Sequence, residues 1–229
     1  MHQIATILKA HQADIKPIMG QALSQDRTMK MDFSPTNGDL EKIDLLNTIA
    51  FDAYVSELLA KEQKTYGVGG YMEKRAIYQR SEVFLTDPGD FRNIHLGVDI
   101  WTTAGHPVYA PLDGVVHSFQ DNAGFGNYGP TIILAHKLSN FTFFTLYGHL
   151  SLIDLKGLAV GKSINAGDAF CTVGPHPENG HWPPHLHFQV MTSMLNMTGD
   201  FPGVCREEDQ EWFKLICPDP NLILLSEVL

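Results

Sequence analysis

The spacing of apolar and polar positions changes about a third of the way along the chain. In the first eighty residues the recurrences are helical. Ile4, Ile7, Leu8 and His11 fall on one face of a short amphipathic helix. A turn-rich stretch follows from Asp32 to Leu40, punctuated by Pro35, Asn37 and Gly38. Beyond it, Leu45, Ile49, Ala53, Leu58 and Leu59 predict a helix from Asp39 to about Lys64, stopped by the glycines of Tyr66–Tyr71. From Val108 onward the pattern is that of short strands: Val108–Ala110, Gly114–Phe119, Thr131–His136, Phe141–Leu150, Asp168–Val173 and His185–Met191. These runs are rich in β-branched and aromatic residues, with Gly, Pro and Asn turns between them. The expected architecture is mainly β, an antiparallel β-sheet or sandwich, with an N-terminal α-helical extension. The boundary falls near the loop Thr86–Asp90. Residues 1–82 then form the extension and an arm, and residues 83–229 the main domain with a C-terminal strap.

Composition narrows the classes of partner. The chain has 229 residues, 44% of them hydrophobic and 18% charged, which describes a folded domain rather than a disordered segment. With 16 basic against 26 acidic side chains, the net charge of −10 argues against nucleic acid or an anionic membrane surface as the main partner. No apolar run approaches the ~18–20 residues of a membrane span. The N-terminal apolar stretch is too short for a secretory signal. The chain as it stands therefore reads as cytoplasmic, or as periplasmic or extracellular if a leader has been removed. Cys171, Cys205 and Cys217 lack CxxC spacing and read as reduced, buried thiols. Nothing in the sequence speaks to oligomeric state.

Histidine changes the picture, because several of the eleven occupy patterned positions. In His185-Leu-His187-Phe188 the strand alternation points both imidazoles to one face and Leu186 and Phe188 to the core. Two rings ~6.5–7 Å apart suit a division of labour: one metal ligand, and one neighbour that touches a bound water or substrate. In His95-Leu-Gly-Val-Asp99 a straight strand would separate the His and the Asp by ~13 Å, so a shared metal requires a bend, which Gly97 permits. Two histidines and one carboxylate with an open fourth position make the composition of a catalytic zinc site. His149, in Leu146–Ser151, is a spare imidazole for proton transfer.

These motifs resemble the lysostaphin/LytM-type zinc metallopeptidase family, which carries H-x-x-x-D, then an isolated His, then H-x-H. The resemblance extends over roughly residues 91–191 and includes Gly105–Val116, Tyr128–His136 and Gly161–Asp168. It implies that His95, Asp99 and His187 hold one Zn2+ and that His149 and His185 are catalytic. It also implies a metallopeptidase fold and an endopeptidase acting on peptide bonds of peptidoglycan stem or cross-bridge peptides. The approach to the H-x-H departs from the family pattern: Asn179–Phe188 carries Trp182, Pro183 and Pro184 where many relatives have small residues. Trp182 is expected either to wall the cleft or to pack on the sheet. Arg75 and Arg80, in the mixed segment Tyr66–Phe84, are candidate binders of a substrate carboxylate.

Other readings stand beside this one. A non-catalytic module would lack the ligands, all of which are present here. The Gly105–Val116 hairpin also resembles sugar phosphotransferase IIA domains, a reading that leaves His95 and Asp99 unexplained. A cytoplasmic metallopeptidase-like accessory domain acting on a small non-cell-wall molecule would suit the absent signal and the acidic charge.

Overall fold

The computed structural model describes residues 3–87 and 90–229, with backbone only for residues 79, 80, 87 and 90. Among the described residues there are fourteen strands. The first seven are β1 (Thr28–Lys30), β2 (Tyr66–Gly69), β3 (Leu85–Asp87), β4 (Asp90–Phe91), β5 (Ile94–His95), β6 (Val98–Trp101) and β7 (Pro107–Tyr109). The others are β8 (Gly114–Asn122), β9 (Gly129–Leu138), β10 (Phe141–Gly148), β11 (Ser163–Ile164), β12 (Ala169–Thr172), β13 (His185–Met191) and β14 (Val204–Cys205). The helices are α1 (Gln3–Ala10), α2 (Thr48–Lys61), α3 (Gln210–Ile216) and α4 (Asn221–Leu224). The protein is mainly β, as its strand pattern predicts.

Eight strands form one sheet in the order β1-β2-β6-β13-β10-β9-β8-β11, antiparallel except for the β1–β2 pair. Strand β7 pairs with β12 in a separate two-stranded layer. All seven residues of β13 are buried, so this central strand is covered on both faces. Its even positions Leu186, Phe188 and Val190 join the main core with Val98, Ile100, Ile132 and Leu134, under α1 and α4. Its odd positions His185, His187 and Gln189 face the opposite side. There two smaller clusters flank them, one built around Phe33, Phe51, Tyr78 and Trp182, the other around Leu96, Met191 and Phe201.

The extension differs from its predicted form in two ways. The helix begins at Thr48 rather than Asp39, because the Asn47 side chain caps it by accepting from Ile49 N and Ala50 N, while Leu40–Lys42 is a 3-10 turn. The glycine-rich Tyr66–Gly69, expected only as a helix stop, is a fully buried strand that pairs with β6. The main sheet thus crosses the boundary read at residue 82. Residues 88 and 89 of the boundary loop lie outside the described residues. The three cysteines are free and buried. His136 is buried within the sheet, held by Asp113 O and Thr145 Oγ1. Among the described residues no helix is long and apolar enough to cross a membrane.

Candidate metal centre

The site forms where β6 and β13 lie side by side. Their antiparallel register sets His187 opposite Asp99 and His185 opposite Trp101. His95 reaches them because the chain bends between β5 and β6, at Gly97. The bend predicted from the His-x-x-x-Asp spacing is present, but φ of Gly97 is not in the left-handed region. Glycine is required there by proximity: a Cβ at this position would lie 2.7 Å from Cε1 and Nε2 of His187 and 2.7 Å from the carbonyl oxygen of Phe188.

Among the described residues one group of three side chains could hold a metal ion: His95, Asp99 and His187, all buried. His95 Nε2 lies 2.9 Å from His187 Nδ1 and 3.3 Å from Asp99 Oδ1, and His187 Nδ1 lies 3.1 Å from Asp99 Oδ1. A tetrahedral ion with bonds of ~2.0–2.1 Å separates its ligand atoms by about 3.3 Å. The three donors therefore outline one face of such a tetrahedron, with N and O atoms of the kind zinc takes. On this geometry Nδ1 is the His187 atom that could face an ion, because its Nε2 faces Gln189 Oε1 at 3.0 Å and the Tyr128 hydroxyl at 3.4 Å.

Each histidine is oriented by a partner on its other nitrogen. His95 Nδ1 is 3.1 Å from Gly70 O, His149 Nδ1 is 2.9 Å from Asn179 O, and His185 Nδ1 is 2.7 Å from Pro183 O. A carbonyl can only accept, so all three rings carry their proton on Nδ1 and present a bare Nε2 to the site. Gln189 is fixed in turn, its amide nitrogen donating to Pro202 O at 3.1 Å. This leaves its Oε1 to accept from His187 Nε2. Such outer contacts hold ligand rings in place.

The electrostatics suit a metal site that needs neutral imidazoles. Burial, reinforced by the nearby Arg75 charge, lowers the pKa of His95 to about 3. Burial and the neighbouring His185 hold His149 well below the usual imidazole range, and burial lowers His185 as well. Burial pushes Asp99 up, but His95 and Arg75 outweigh it and keep the carboxyl well below its usual range. Since His95 stays neutral, the fixed charge is that of Arg75.

The sequence-predicted residues are placed as follows. His149 and His185 stand beside the ligand group with ring centroids 4.2 Å apart. His149 adopts φ of +61°, a left-handed conformation at the end of β10. Trp182 is among the residues that line the cleft. It is buried with Tyr78 and Phe84, its ring centroid 6.0 Å from His149 and 6.1 Å from His185. Arg75 is not placed as a substrate binder. It is 2% exposed, and its guanidinium is engaged by Asp99, Glu73, Tyr78 and Gly69 O. The side chain of Arg80 lies outside the described residues. Gln189, Tyr128 and Asn179 were missed as site residues; strand alternation alone would have found Gln189, two positions after His187 on the same face.

A cleft of about 230 Å3 opens onto this group, its lining including Tyr78, Phe84, Trp182, Met197, Phe201 and Val204.

Residues 93–198 match the profile of peptidase family M23. This segment contains all five residues named for metal binding and catalysis, and the resemblance to the lysostaphin/LytM-type peptidases holds across it. The match supports a metallopeptidase hydrolase. Among solved structures this chain is similar to a zinc-containing peptidase from Vibrio cholerae, at 28% identity and a TM-score of 0.35, covering 47% of this chain. The chain spans only 30% of that peptidase's length. The catalytic domain of the antimicrobial peptidase lysostaphin from Staphylococcus simulans is similar at 23% identity and a TM-score of 0.40, covering 69% of this chain and 96% of that one. A mutant catalytic domain of the prophage-encoded M23 protein EnpA from Enterococcus faecalis is similar at 24% identity and a TM-score of 0.36, covering 52% and 87% respectively. No curated protein matches the chain.

Proposed function

We propose that this protein is a zinc-dependent endopeptidase, acting by family resemblance on peptidoglycan stem or cross-bridge peptides. The observation that carries the reading is the triangle of His95 Nε2, Asp99 Oδ1 and His187 Nδ1, with two further imidazoles beside it. Those three atoms would hold the ion. When bound, zinc supplies Lewis acidity toward the scissile carbonyl and toward water.

The remaining chemistry belongs to His149 and His185. Each has its Nδ1 proton committed to a carbonyl, so each offers one acceptor nitrogen. A water between the rings can donate one hydrogen to each Nε2, which orients its lone pair for attack on the peptide carbonyl. One of the two rings takes the water proton and returns it to the leaving amine, while the other holds the water and keeps its direction. Trp182 excludes solvent from both rings.

The test is digestion of purified peptidoglycan, and of short Gly- or D-Ala-containing peptides, by the zinc-loaded protein. New amino termini that appear with zinc and vanish with chelator support the reading. A zinc-loaded protein inert on all of them contradicts the cell-wall substrate. A second reading, action on a small non-cell-wall molecule, draws on one observation. Residues before the M23 segment, Phe51, Tyr78 and Phe84, contribute to the lining of the cleft.

A further inference from the structure

Two of the three candidate ligands are held from behind by a segment that precedes the M23 match. Strand β2 ends at Gly69, paired with Asp99. The chain then turns through Gly70 at φ +107° and Met72 at φ +56°, and returns alongside β5 with Lys74 bridged to Ile94. This turn sets the Gly70 carbonyl on His95 Nδ1 and delivers Arg75 to the far oxygen of Asp99. Only glycine fits at position 70, because a Cβ there would run into Arg75 Nη2.

Every branch of the Arg75 guanidinium is fixed. Nε donates to Glu73 Oε2 at 2.8 Å, Nη2 to Gly69 O at 3.2 Å, and Nη1 to both the Tyr78 hydroxyl at 3.2 Å and Asp99 Oδ2. Aromatic faces of Phe33, Tyr78 and Trp101 surround it at 5.6–5.8 Å. Burying a guanidinium this completely is costly unless it is paired. Glu73 alone would balance its charge. The second carboxylate, Asp99, leaves the trio with a net charge of −1, so the centre stays attractive to a divalent cation.

We propose that Arg75 is a positioning residue of the metal centre. By occupying Oδ2 it restricts Asp99 to presenting Oδ1 alone toward His95 and His187. The carboxylate then acts as a single-atom ligand, and the fourth position of the tetrahedron stays open for water and substrate. The inference rests on the reading of His95, Asp99 and His187 as metal ligands. It makes the segment 69–75 part of the active centre, although it lies outside the M23 match.

The experiment uses the full chain as wild type, Arg75→Lys, and the double variant Glu73→Gln/Arg75→Met. The double variant leaves no unpaired buried Glu and covers the case in which Arg75→Lys does not fold. Zinc affinity is read by chelator competition, the Co2+-loaded protein by its visible spectrum, and stability by metal-free thermal unfolding. The wild type should take up one zinc and show the intense Co2+ bands of a four-coordinate site. In the variants zinc affinity should fall about 10–100-fold, the usual effect of losing an outer-shell partner. Their Co2+ bands should weaken as Asp99 turns both oxygens to the ion. A folded variant that melts earlier but keeps wild-type zinc affinity and Co2+ spectrum would show a merely structural ion pair and overturn the proposal. A wild type that binds no zinc would instead overturn the metal-centre reading beneath it.

Discussion

Gly97→Ala tests how tightly the fold is built around the site. The added methyl would sit 2.7 Å from two atoms of the His187 ring and 2.7 Å from Phe188 O. Carbon contacts are comfortable at about 3.5–4.0 Å, so something must retreat by about 1 Å. The strand cannot move easily, because Phe188 is paired with Val98 in the β13–β6 ladder. The ring cannot move without leaving Gln189 on one side and the Asp99–His95 pair on the other. Overpacking of this kind costs about 1–3 kcal/mol, which for a chain of this length is a fall in Tm of about 2–12 °C. A displacement of ~1 Å at a catalytic centre costs on the order of 100-fold in rate, and zinc affinity should fall with it. The assay is chelator competition for zinc together with thermal unfolding of the metal-free protein. Gly38→Ala serves as control, because a Cβ there meets nothing within 4 Å and should change neither reading. Wild-type zinc affinity and Tm in Gly97→Ala would refute the argument.

Two further outcomes are expected. His149→Ala should retain stoichiometric zinc while losing about 100–10,000-fold in peptide hydrolysis, the range of acid–base contributions; loss of the metal in this variant would make His149 a ligand. His136 offers a pH test away from the site. Burial holds it neutral, with a folded pKa of about 4 against 6.5 unfolded. The unfolded chain therefore binds the extra proton between these values, and stability falls as pH drops from about 6.5 to about 4, by roughly 3 kcal/mol at most. Urea unfolding at pH 7 and pH 4.5 should show a smaller loss in His136→Gln than in wild type; equal losses would assign the effect elsewhere.

What the sequence disclosed follows a physical divide. Strand β13 was legible because alternation is local: Leu186 and Phe188 had to face the core, which left His185 and His187 on the other side. The bend at Gly97 was legible from spacing alone, although the reason for glycine is the His187 ring rather than backbone conformation. Tertiary contacts were hidden. Arg75 meets Asp99 across 24 positions of chain, and no periodicity marks it. Strand β2 was hidden by its own glycines, which read as a helix stop but lie flat against Met31 of the neighbouring segment. Asn47 likewise took the helix start from Asp39, because its side chain satisfies two free N–H groups of the first turn.

The central claim is that His95, Asp99 and His187 form one zinc-binding triangle. It is tested most directly by the zinc content of purified wild-type protein and of His95→Ala, measured after dialysis against trace metal. One zinc per wild-type chain and none in a folded His95→Ala is the predicted result. A full equivalent of zinc in His95→Ala, or a folded wild type that takes up no zinc at neutral pH, would contradict it.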